Sequence, residues 1–152
     1  RPAYAHSLQL GGATGAALLM LAGDLVRAEA LLGYPYAMEG RVVSGRQLGR
    51  TIGVPTANVK IRHNPIPLCG VFAVDVALDE TRAAVPVATR RHAGIANLGY
   101  RPTLGGDKRP LLEVHLFDFA GDLYGAHLDV RFLAKLRDEI GSLDRVVQVV
   151  KL

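Results

Sequence analysis

From Tyr36 onward, apolar and polar residues alternate along the chain with a period of two. In Gly70 to Leu78, the residues Phe72, Val74, Val76 and Leu78 alternate with Val71, Ala73, Asp75 and Ala77. In His127 to Leu133, Leu128, Val130 and Phe132 alternate with His127, Asp129 and Arg131. Leu111 to Phe119 alternates in the same way, which puts Leu112, Val114 and Leu116 on one face and Glu113, His115 and Phe117 on the other. Weaker alternation covers Met38 to Arg46 and His92 to Leu98, set apart by segments rich in Gly and Pro such as Gly99 to Pro110. Strands in succession without helices between them predict an antiparallel sheet, and closing that sheet into a small barrel removes its exposed edges.

The residues before Tyr36 follow another pattern. Ala16 to Leu32 is rich in Ala and Leu, and Asp24 can cap a short helix that places Leu25, Ala28 and Leu32 on one face before Gly33 and Pro35 end it. At the other end, Ser142 to Leu152 reads as a helix capped by Ser142, with Val146, Val147, Val149 and Val150 working against it. The expected organisation is therefore a helical lead-in over residues 1–35 and a mainly β barrel domain over residues 36–152.

Composition narrows the function classes. A chain of 152 residues, 49% hydrophobic and 21% charged, has the makings of a real core. The apolar run Ala16 to Ala22 is far shorter than the roughly 20 residues of a membrane-spanning helix, and no secretory signal is visible, so a cytoplasmic protein is expected. Cys69 is the only cysteine, which excludes an intrachain disulfide and a cysteine-rich zinc site. The five histidines (His6, His63, His92, His115 and His127) show no metal-ligand spacing. Gly11 to Gly15 lacks the preceding strand and βαβ unit that a dinucleotide-binding turn requires. Asp118 and Asp122 flank a turn and are read as structural.

The net charge is +4, and the basic residues that cluster are Arg41, Arg46, Arg50, Lys60 and Arg62. They surround Gly45 to Asn58, GRQLGRTIGVPTAN, which is too polar and too punctuated for a core strand. Gly45, Gly49 and Gly53 let backbone amides approach a phosphate chain, Arg50 adds charge, and Thr56 and Asn58 offer the hard oxygens that Mg²⁺ accepts. Composition alone leaves open an ordinary glycine-rich connection between strands, and charge alone fits a nucleic-acid backbone as well as a polyphosphate. With only four Phe and five Tyr, the chain is short of the aromatics that stack bases, so no nucleic-acid partner is expected.

The segment Gly45 to Asn58, with Pro55-Thr56-Ala57-Asn58 at its core, resembles the signature loop of riboflavin kinases, including the kinase module of bacterial bifunctional FAD synthetases. Further segments resemble that family in the same order. They are Gly70 to Ala73, Gly94 to Gly99 followed by Arg101-Pro102-Thr103, Glu113 to Phe119, Gly121 to Gly125, and Phe132-Leu133 with Leu136 to Glu139. The resemblance implies a six-stranded antiparallel Greek-key barrel that transfers the γ-phosphoryl group of ATP, with Mg²⁺, to riboflavin. It implies that Gly45, Gly49, Arg50, Gly53, Thr56 and Asn58 bind the nucleotide, with Thr56 and Asn58 also at the metal. It assigns Glu113 as the base for the ribityl 5′-hydroxyl, and Asn97 and Arg137 to the flavin side.

Two departures from the family pattern shape the expectations. Ile140 and Gly141 lead straight from Glu139 to Ser142-Leu143-Asp144, a shortened path that makes a flavin-binding module with weak or absent turnover the alternative function. Ala16 to Pro35 resembles only the linker helix that follows the adenylyltransferase domain of the bifunctional enzymes, so FAD synthesis is not expected of these residues and that domain is a possible missing partner.

Overall fold

The computed structural model describes residues 11–43, 56–79 and 91–139. Two helices come first, α1 (Gly11–Leu21) and α2 (Leu25–Leu32). The Asp24 side chain accepts from Arg27 N at 3.1 Å and caps α2. Gly33 ends it in the left-handed conformation, φ 81°, with its N–H on the Glu29 carbonyl at 2.8 Å. Gly11 to Gly15 lie in the first turns of α1, so that segment is helix and no phosphate-binding turn.

Six strands follow among the described residues: β1 (Ala37–Val43), β2 (Ala57–Lys60), β3 (Gly70–Asp79), β4 (Arg91–Pro102), β5 (Lys108–Leu116) and β6 (His127–Arg137). Every neighbouring pair is antiparallel, and the sheet closes in the order β1-β2-β5-β4-β3-β6. The run β6-β3-β4-β5 has three hairpin-connected strands with the fourth returning beside the first, which is a Greek key. The Ser142–Leu152 helix and the last residues of the Met38–Arg46 strand lie outside the described residues.

The alternation read from the sequence sorts the two faces of the wall. Phe72, Val74, Val76, Leu112, Val114, Leu128, Val130 and Phe132 point inward and are at most 2% exposed. Phe72 and Phe132 meet edge to face at the centre, with centroids 5.2 Å apart. Each such side chain contributes about 1.5–3 kcal/mol through burial. Met20, Leu25 and Ala28 from the helices join this same apolar cluster. Cys69 is half-buried, and burial above all pushes its thiol pKa up. Among the described residues, no helix is long and apolar enough to cross a membrane.

Several strand boundaries differ from the sequence reading. Ala57 and Asn58 are not loop but the start of β2, because they pair with Val114 and Glu113. β4 runs past Leu98 to Pro102, and β5 begins at Lys108, since Gly99 to Pro102 pair residue by residue with Lys108 to Leu111 in spite of their glycine and prolines. The connecting turn is closed by Thr103 N to Asp107 O at 2.7 Å. Finally, β5 stops at Leu116, where Asp118 adopts φ 50° and turns the chain, so Phe117 is outside the strand and 37% exposed.

Candidate active site

Directly opposed residues of antiparallel strands share a face, so register decides which polar side chains meet. Glu113 on β5 stands opposite Asn58 on β2 on one side and Asn97 on β4 on the other. Asn97 in turn opposes Val71, and Val71 opposes Arg137 at the end of β6. Asn58, Glu113, Asn97 and Arg137 therefore lie in one row across the outer wall of the barrel. Leu112 and Val114, on either side of Glu113, face the core and are 0% exposed. With strands about 4.8 Å apart, one small ligand group can touch several members of the row.

Burial along the row is uneven. Asn97 is 1% exposed and the Glu113 side chain 15%, whereas Asn58 and Thr56 are half-buried and Arg137 is exposed. Arg137 has no ion pair among the described residues. Thr56 immediately precedes β2, two positions from Asn58. Gly45, Gly49, Arg50 and Gly53 lie outside the described residues, as do Arg46 and the shortened path after Glu139. Of the basic cluster, Arg41 and Lys60 are register partners on β1 and β2. Both are exposed and lie one pair further along the same outer face as Asn58. Like charges set opposite each other repel, and an anionic ligand would relieve them. Arg62 is also exposed.

The structure adds residues that the sequence reading did not single out. The Arg101 guanidinium on β4 lies 3.6 Å from the Glu113 carboxylate and also pairs with Glu139. It donates to the Tyr100 carbonyl at 3.2 Å. The Tyr100 hydroxyl accepts from Ile66 N at 2.9 Å, which ties this end of β4 to the segment before β3. The available signal was parity, since Asn97, Gly99 and Arg101 fall on the same face of one strand. Asp122 accepts from Tyr124 N at 2.9 Å and is a turn residue. Among the described residues, no group of three or more His, Cys, Asp and Glu is placed to hold a metal.

A closed Greek-key barrel with a carboxylate framed by two amides on its wall is a rigid platform for a small polar ligand. The flavokinase family, described as riboflavin kinase, matches residues 32–150. A bifunctional riboflavin kinase/FMN adenylyltransferase of Pseudomonas fluorescens is 46% identical over 120 residues, 79% of this chain and 36% of that protein. The protein of the same description from Escherichia coli K12 is 47% identical over 125 residues, 81% of this chain and 37% of its own length. A crystal structure described as a macrolide-efflux protein from Streptococcus pneumoniae shares the fold with TM-score 0.72 at 33% identity, over 91% of this chain and 43% of that one. This chain belongs to the riboflavin kinase family, and it spans a little over a third of the length of the curated relatives it matches.

Proposed function

We propose that this chain transfers the γ-phosphoryl group of ATP to the 5′-hydroxyl of riboflavin, giving FMN and ADP. The observation that carries the reading is the placing of Glu113 between Asn58 and Asn97 on one outer row. Glu113 is the base: its carboxylate orients the ribityl hydroxyl and takes its proton as the new O–P bond forms and the bond to the ADP oxygen breaks. Phosphoryl transfer passes through a loose transition state, so the proton moves late and positioning dominates. Asn97, nearly fully buried on β4, and Arg137, at the end of β6, border the flavin.

Thr56 and Asn58 offer a hydroxyl and an amide oxygen, with the Glu113 carboxylate opposite Asn58, a hard donor set that suits Mg²⁺. Few protein ligands are needed, because Mg²⁺ keeps waters and takes phosphate oxygens. When bound, the ion supplies charge neutralisation on the phosphate oxygens. Gly45, Gly49, Arg50 and Gly53 complete the phosphate side, and the exposed Arg41 and Lys60 add positive potential there. The proposal covers the kinase reaction only; adenylylation of FMN is not assigned to these residues.

The test is FMN formation from riboflavin, ATP and Mg²⁺, resolved by chromatography, for the wild type and Glu113→Gln. FMN that depends on metal and falls about 10²–10⁴-fold in the variant is the expected result. A folded chain that binds riboflavin and makes no FMN would reduce the reading to a flavin-binding module.

A further inference from the structure

We propose that Arg101 is a positioning residue for Glu113 and that Glu139 sets where its guanidinium stands. The proposal rests on the reading of Glu113 as the base. Arg101 presents one terminal nitrogen to each carboxylate: Nη2 lies 3.6 Å from Glu113 Oε1, and Nη1 pairs with Glu139 Oε1. The first separation is longer than a hydrogen bond, and the second contact is a direct one. Glu139 therefore anchors the fork, leaving the guanidinium beside Glu113 as a fixed charge.

The local geometry is built for this. Asn97, Gly99 and Arg101 lie on the same face of β4, and Asn97 is the register partner of Glu113. The missing side chain at Gly99 leaves the gap that the Glu139 carboxylate fills, because a Cβ on Gly99 would overlap it. Arg101 can then reach back along the strand toward β5. The Arg101 and Glu113 side chains are largely withdrawn from solvent, with exposures of 27% and 15%, while Glu139 is an exposed residue whose side chain is 30% exposed. At such burial the two carboxylates repel across a reduced dielectric, and the planar, permanently charged guanidinium between them fixes both. Glu139 also belongs to the 137–139 segment that borders the flavin, so Arg101 joins the base to the flavin side of the site.

The experiment measures kcat and the KM values for riboflavin and ATP in wild type, R101Q, R101K, E139Q, E113Q and the double variant R101Q/E113Q, with thermal melts as the check on folding. R101Q is expected to lower kcat about tenfold or more while the KM for ATP stays within about twofold, and R101K to recover part of the loss. E139Q, which keeps the shape and folding of the segment, should lower kcat in the same sense but less. R101Q should add nothing to the loss already present in E113Q, because it acts through that carboxylate. Wild-type kcat in both R101Q and E139Q, or a loss that multiplies in the E113Q background, would overturn the proposal. An E113Q variant as active as wild type would overturn the base assignment itself, and this proposal with it.

Discussion

Gly99 and Glu139 compete for one volume: a methyl group on Gly99 would run into the Glu139 carboxylate. A methyl there would push aside the far end of the flexible Glu139 side chain, on a strand whose register with Leu111 is regular. Gly99→Ala should displace the Glu139 carboxylate, and with it the Arg101 fork. A drop of about tenfold or more in kcat/KM for riboflavin is expected, with stability changed by less than about 1 kcal/mol, because the displaced atoms are the far end of a flexible side chain. Steady-state kinetics and urea unfolding read the two effects separately.

Asn58 and Glu113 face each other across β2 and β5, yet they are proposed for different duties. Asn58→Ala should weaken the dependence on the metal and nucleotide, raising the Mg²⁺ concentration needed for half-maximal rate about tenfold. Glu113→Gln should lower kcat with little change in that concentration. Titration of the rate with MgCl₂ in both variants checks the separation.

Arg91 on β4 clamps two other strands through side chains that are largely withdrawn from water. Its Nε pairs with Asp75 on β3, Nη1 lies 3.2 Å from Asp129 Oδ2 on β6, and Nη2 reaches the carbonyls of Asp75 at 3.1 Å and Asp129 at 3.3 Å. Arg91→Ala removes the cation that joins the Asp75 and Asp129 carboxylates, and Arg131, the register partner of Asp75, offsets part of the loss. The substitution should cost about 1–2 kcal/mol in urea unfolding, since the partners are only partly screened. The kinetic constants of the surviving folded enzyme should be unchanged.

Burial, and secondarily the nearby Tyr34, pushes the Tyr36 pKa from 10.0 up to about 12. Its ring centroid lies 6.1 Å from that of Phe132 and 6.5 Å from that of His63. The folded pKa lies above the unfolded one, so the phenol's stabilising contribution is complete below about pH 10 and is lost as pH rises toward 12. Tyr36→Phe should flatten the fall in stability over that window, as measured by unfolding at a series of alkaline pH values. Phenolate absorbance should lose its latest-titrating component.

Much of the fold was legible locally. Phe72, Val74 and Val76 on β3, and Leu128, Val130 and Phe132 on β6, point inward as the period of two required, because a strand sends successive side chains to opposite faces. The Asp24 cap and the Gly33 stop were equally local, each resting on a contact within one turn of helix. β2 was not legible: four residues following Pro55 carry too short an alternation to register, and they are a strand because β1 and β5 supply partners on both sides.

The sequence by itself determined the inner and outer faces of the strands, the ends of α2, and the family through its ordered motifs, those that hold Glu113 and the Thr56–Asn58 pair included. Tertiary structure alone decided that Asn58, Glu113 and Asn97 form one row, and that Arg101 stands between Glu113 and Glu139. The physical reason is register. Alternation states which face a residue takes, but the residue it meets is fixed by pairing between strands far apart in the chain and by the closing of the barrel.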